Sequence, residues 1–143
     1  MSLTTDTPAV TAPRSATTRP ARSLPRTTVV VGLVAAAITT AVAAAVHAAG
    51  VSFEVGGEMI PLAGFAQMIF LGAVIGGVLL AVLNRRSRSP RRRFLQAAVT
   101  LTALSCVPSV IWPDAAATKL ALVALHVLAA VMVVSVLVRH AHD

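Results

Sequence analysis

The sequence predicts an all-α protein, a four-transmembrane-helix bundle with both termini cytoplasmic and a disordered N-terminal tail. Three observations predict it. Charged residues make up 12% of the 143-residue chain and apolar residues 57%, with a mean hydropathy of +0.84. A soluble domain carries roughly 25% charged residues, so this chain cannot cover a water-facing surface. The charges are also clustered, leaving four apolar stretches of about twenty residues, the length that crosses a hydrocarbon core of about 30 Å. Finally, the basic residues alternate along the flanks of those stretches, which fits a single topology.

Met1 to Arg26 is rich in Thr, Ala, Pro, Ser and Arg and has no apolar period. Such a segment buries too little surface to offset its ordering entropy and is expected to be a disordered basic cytoplasmic tail, residues 1–26. The transmembrane domain then runs over residues 27–139. Its first apolar run, "TVVVGLVAAAITTAVAAAVHAA", predicts a helix over about 28–49. A basic flank, an apolar core and the ending "AVHAAG" also resemble a secretory signal with an A-x-A cleavage site. The apolar core is about twenty-two residues against roughly 7–15 in such signals, which favours a retained helix.

The loop "GVSFEVGGEMIP" alternates apolar and polar residues on either side of Gly56 and Gly57. Gly-Gly between two short runs signals a hairpin, so either a small ribbon or turn capping the bundle or a plain polar loop is expected. The second helix is predicted over 61–83, the third over 94–112 and the fourth over 119–138, followed by a short tail at 140–143.

Orientation follows from the arginines. Arg14, Arg19, Arg22 and Arg26 precede the first helix, Arg85, Arg86, Arg88, Arg91, Arg92 and Arg93 fill the loop between the second and third, and Arg139 closes the fourth. The other two loops hold Lys119 as their basic residue, with Glu54, Glu58 and Asp114. Lys and Arg in short flanks stay on the cytoplasmic side. The chain is therefore expected to be a multi-pass protein of the cytoplasmic (inner) membrane with both termini inside.

A net charge of +7 and a pI near 11.8 raise the question of nucleic acid. The arginines sit beside apolar runs with no aromatic residues interleaved to stack on bases, and topology accounts for them; no nucleic-acid partner is expected. The single cysteine, Cys106, excludes an intramolecular disulfide, a CxxC redox pair and a cysteine zinc site. A thiol-oxidising membrane enzyme would need paired cysteines. Haem ligation needs two histidines at compatible depths, and His47 and His126 differ by about 6 Å from the helical rise. No Asp or Glu lies in any apolar run, where a small proton-coupled exporter would carry one. Phosphate loop, HExxH and nucleophile elbow are also missing from the sequence. Neither a cofactor nor a metal is expected.

The candidate site lies in the outer half of the bundle. Pro108 interrupts the third helix and predicts a kink, since it removes one hydrogen bond and frees the carbonyl of Leu104; Ser105 lies at the same turn. Ser105 is seven residues before Trp112 and His126 seven after Lys119, so both are expected about 10 Å below the outer interface. Gln67, six residues into the second helix, reaches nearly that level. Lys119, Leu122, His126, Ala129, Ala130 and Val133 follow helical steps and form one stripe. Thr118 stands two steps above His126. Asp114 and Lys119 flank the outer loop and are candidates for an ion pair.

An ionisable residue inside a span is a functional candidate by default. The structural alternative for His126 is a neutral ring bonded within the bundle. Gly72 and Gly76, four apart, are read as a close helix-packing face, and Thr39 and Thr40 as bonding back to their own helix. Such small-residue faces suit a homodimer or a membrane-protein partner.

The chain also resembles small four-helix integral membrane proteins of actinobacteria that form a domain family of unknown function. The resemblance runs from about Thr28 to Arg139. It rests on the layout, the arginine cluster before the third helix, "SCVP" at Ser105–Pro108 and "TKLALVALHVLAAV" at Thr118–Val131. Leu125 stands where family members often have Met, and Phe94 where Trp is common. The resemblance implies no activity; it draws attention to His126 and Thr118. The leading functional expectation is a non-enzymatic accessory or envelope-associated membrane component. The alternative is a carrier or enzyme for a lipophilic small molecule, with His126 exchanging a proton or hydrogen-bonding the ligand.

Overall fold

The structure is a computed structural model and describes residues 23–142. The tail expected over 1–26 falls mostly outside the described residues, as does Asp143. The described residues form four α-helices, α1 (Leu24–Ala48), α2 (Leu62–Arg86), α3 (Pro90–Ile111) and α4 (Ala116–Leu137), with a final 3-10 turn at Val138–His140. All four are long and apolar enough to cross a membrane. At about 1.5 Å per residue, 25 residues extend about 37 Å.

All four helices begin or end outside their apolar runs, α4 three residues early at Ala116. The first starts at Leu24 because Pro25, in its first turn, has a pre-set φ and no N–H to leave unpaired. Pro90 opens α3 in the same way, four residues before Phe94, so Arg91, Arg92 and Arg93 are helical. The second continues through Arg85 and Arg86, cations that the C-terminal end of a helix favours. Hydropathy marks the part of a helix that meets lipid, whereas backbone hydrogen bonding carries the helix on into the polar zone.

Between α1 and α2 the hairpin, rather than the plain loop, is present. Strand β1 (Glu54–Val55) pairs antiparallel with β2 (Glu58–Met59), Glu54 opposite Met59 and Val55 opposite Glu58. Gly56 and Gly57 have φ of 62° and 84°. A two-residue turn with positive φ at both positions matches the twist of its strands, and glycine takes it without steric cost. The Ile60 N–H donates to the Phe53 carbonyl at 2.8 Å and lengthens the ladder.

α1 packs mainly on α2 and then on α4, while α3 rests chiefly on α4. The core has two parts. Towards the arginine-rich end, Ala35, Ala73, Leu80, Phe94, Val133 and Leu137 pack together. Towards the hairpin, Ala43, Phe53, Leu122 and Leu125 do so. Small residues set the α1–α2 contact: a Cβ on Gly77 would run into the side chain of Thr28, and one on Gly32 would meet Ala73 and Phe70 at 3.0 and 3.1 Å.

This corrects the expected packing face in part. Gly76 does face a neighbour, with Leu137 Cδ1 3.4 Å from where its Cβ would be, but Gly72 has nothing within 4 Å. Successive residues on a helix differ by about 100° in direction, so spacing alone picked the pair 72/76, whereas the chain uses Gly77.

Outward faces are strongly apolar. Met68, Leu71, Ile75 and Val78 on α2, Val99 and Leu104 on α3, and Leu120 and Val131 on α4 are all exposed. No more than 28% of any apolar span is buried within the chain. Such length and surface are compatible with a multi-pass membrane protein, since water would strongly oppose so much exposed apolar area.

Candidate functional site

His126 is half-buried on α4. Its Nδ1 lies 2.9 Å from the Leu122 carbonyl. A carbonyl only accepts, so Nδ1 carries the proton, and in the neutral ring Nε2 is left as the acceptor. The stripe read from the sequence turns inward at Leu122 and Val133, its buried members, while Lys119, His126, Ala129 and Ala130 are half-buried.

Among the described residues, no other member of the expected polar layer hydrogen-bonds His126. Ser105 is exposed on α3, and its hydroxyl donates to the Thr102 carbonyl at 2.8 Å, not to the freed carbonyl of Leu104. Gln67 is exposed on α2. Rise per residue fixes a side chain's depth; the direction in which it points depends on how each helix is rotated, and Ser105 and Gln67 are rotated outward. Pro108 lies inside α3, whose last turn still closes with the Trp112 N–H on the Pro108 carbonyl at 3.0 Å. Cys106 is a free, half-buried thiol.

Thr118 is placed quite differently. It is 1% exposed, and its hydroxyl donates to the Ser52 carbonyl at 2.6 Å, tying the top of α4 to the chain leading into the hairpin. Lys119 is half-buried and Asp114 exposed, and among the described residues no ion pair joins them. The hairpin end is completed by aromatic contacts. Phe53 packs edge-on to Phe65 with centroids 5.1 Å apart, and His47 stacks on Phe53 at 6.3 Å. The His47 Nδ1 donates to the Val51 carbonyl at 3.1 Å. A shallow cavity of about 330 Å³ opens beside them, lined by His47, Phe53, Met59, Ile60, Pro61 and Leu62.

A second polar knot at the arginine-rich end went unread in the sequence. The Asn84 amide donates to the His140 carbonyl at 3.0 Å, and its oxygen accepts the His142 N–H at 3.2 Å. His140 Nδ1 donates to the Val136 carbonyl at 3.2 Å, which leaves Nε2 to accept the Thr27 hydroxyl at 3.4 Å. Helices α1, α2 and α4 are thus tied at one point. The available signal was Asn84 itself, an amide set between an apolar run and two arginines.

Thr39 and Thr40 also depart from expectation. Among the described residues neither hydroxyl bonds back to its helix or reaches another protein group, although Thr39 is fully buried between the two parts of the core. Thr28, by contrast, does bond back, to the Leu24 carbonyl at 2.9 Å. Among the described residues no group of three or more metal-ligating side chains converges.

Residues 19–143 match the family of unknown function DUF6069. The chain belongs to this family. The match covers every helix and the hairpin, so the DUF6069 unit is the whole four-helix fold and not an insertion within it. It takes in both polar ties, Thr118 to Ser52 and Asn84 to His140, as well as His126. No curated protein and no solved structure matches this DUF6069 chain.

Proposed function

We propose that this DUF6069 protein is an integral component of the bacterial inner membrane that works through its helix surfaces, as a non-enzymatic accessory or envelope-associated part. The carrying observation is how the polar groups are spent. Thr118 and Asn84 are committed to ties within the chain, and His126 gives its proton to its own helix, while the outward faces are apolar. In this reading both termini and the eight described arginines lie in the cytoplasm, and the hairpin lies outside. Gly72, open on α2 between Met68 and Ile75, offers close approach to a second copy or a membrane-protein partner.

The alternative reading, a carrier or enzyme for a lipophilic small molecule, draws on His126 Nε2. Among the described residues nothing hydrogen-bonds that nitrogen. It lacks support from Ser105 and Gln67, which face away, and from Thr118, which is engaged elsewhere.

Mass spectrometry of small molecules retained by the detergent-purified protein separates the two. Bulk lipid alone, in both the native chain and His126→Ala, is the expected result. A defined lipophilic compound lost in His126→Ala would overturn the accessory reading in favour of the carrier or enzyme.

A further inference from the structure

We infer that the hairpin end carries a binding site for the headgroup of phosphatidylethanolamine, between the last turn of α1 and the start of α2; the inference rests on the membrane-spanning reading of the helices. The shallow cavity of about 330 Å³ beside the hairpin has an apolar lining with one polar member, His47. Its ring is held from two sides, by the Nδ1 bond to the Val51 carbonyl and by stacking on Phe53. Nδ1 therefore carries the proton, and in the neutral ring Nε2 is an acceptor. Among the described residues nothing hydrogen-bonds that nitrogen. The cavity thus offers one fixed acceptor among Phe53, Ile60, Pro61 and Leu62, which suits an apolar body that carries an N–H or O–H donor.

Charge selects among such donors. Met59 lines the cavity, and Glu54 stands directly across from it in the β1–β2 pair. Residues opposite each other in an antiparallel pair point to the same face with Cβ atoms about 5 Å apart, so the exposed Glu54 carboxylate flanks the rim. Among the described residues no cation pairs with it. Glu58 and Asp114 stand at this end as well, with Lys119 as its lysine, while the described arginines all lie at the other end. A carboxylate and an imidazole nitrogen beside an apolar cleft fit a primary ammonium, which donates to both. His47 is in the last turn of α1 and Leu62 opens α2, so the cavity lies where two spans leave the apolar zone, at the level of a lipid headgroup. An ammonium at the rim with acyl chains against the exposed Met59 and Leu62 describes phosphatidylethanolamine. The fully methylated nitrogen of phosphatidylcholine has no N–H and makes neither hydrogen bond.

The test uses the full chain in nanodiscs of phosphatidylethanolamine and phosphatidylcholine in equal parts with matched acyl chains, with native mass spectrometry counting the lipids that stay bound after release. The expected result is retention of phosphatidylethanolamine over phosphatidylcholine by about fivefold. Glu54→Gln, a change of charge alone at an exposed side chain, should lower that preference about threefold, and His47→Ala should abolish it. Glu58→Gln, on the opposite face of the hairpin from Glu54, should leave it unchanged. Equal retention of both lipids by the native chain would overturn the site. Equal weakening by Glu58→Gln and Glu54→Gln would mean a diffuse field and overturn it as well. Displacement of the lipid by free ethanolamine would assign the cavity to a small amine and overturn the lipid. A chain that does not enter nanodiscs at all would overturn the membrane reading, and this inference with it.

Discussion

Thr118 and Ser52, 66 positions apart in the chain, are joined by a 2.6 Å hydrogen bond from the Thr118 hydroxyl to the Ser52 carbonyl. It fixes the hairpin to the top of α4 above the Phe53, Leu122 and Leu125 core. A hydroxyl so fully buried is destabilising unless bonded, so its partner is part of why Thr118 is tolerated there. Thr118→Val keeps the shape and removes the bond. It is expected to cost about 1 kcal/mol, read as a lower Tm in detergent and as faster amide exchange over Phe53–Met59. Thr118→Ser should retain most of the bond.

At the other end, Asn84 satisfies two backbone groups of the C-terminal segment at once. Asn84→Ala is expected to release residues 138–142 and cost about 1–3 kcal/mol. Hydrogen exchange should quicken over Arg139–His142 and stay unchanged at the hairpin.

Glycines separate by what a side chain would meet. Gly77→Ala forces a methyl group against Thr28 at the α1–α2 contact and is expected to destabilise by about 1–3 kcal/mol. Gly72→Ala places its methyl group in open space, and its stability as a single chain should stay within about 0.5 kcal/mol of the parent. Thermal unfolding of the two variants side by side checks the difference. If Gly72 meets a second copy, Gly72→Leu should also reduce crosslinked dimer without lowering the Tm.

The hairpin depends on backbone conformation more than on side chains. Gly57→Ala imposes a Cβ at φ 84° and is expected to cost about 1–2 kcal/mol, with the loss confined to the hairpin. Local exchange rates at Val55 and Glu58 report it.

Element type was legible in this sequence, and direction was not. Lipid demands long uninterrupted apolar runs, so four helices stand out from hydropathy alone, and Gly56–Gly57 marks its own turn because few other residues accept that conformation. Ser105, Gln67 and His126 were correctly expected on three helices. Their meeting required a rotation for each helix that no local pattern encodes. The same ambiguity favoured Gly72 over Gly77, since both belong to small-residue patterns and only the packed bundle shows that Gly77 lies against Thr28. Asn84 and His140 were passed over because they lie at the ends of apolar runs, where polar residues are ordinary. What made them matter was a contact across 56 positions.

The central claim, a chain that spans the inner membrane with its arginines in the cytoplasm and its hairpin outside, is tested most directly by cysteine labelling in intact cells. In a Cys106→Ser background, a membrane-impermeant maleimide should label Glu58→Cys before lysis and Arg88→Cys only after it. Labelling of Arg88→Cys in intact cells, or protection of Glu58→Cys until lysis, would contradict the account.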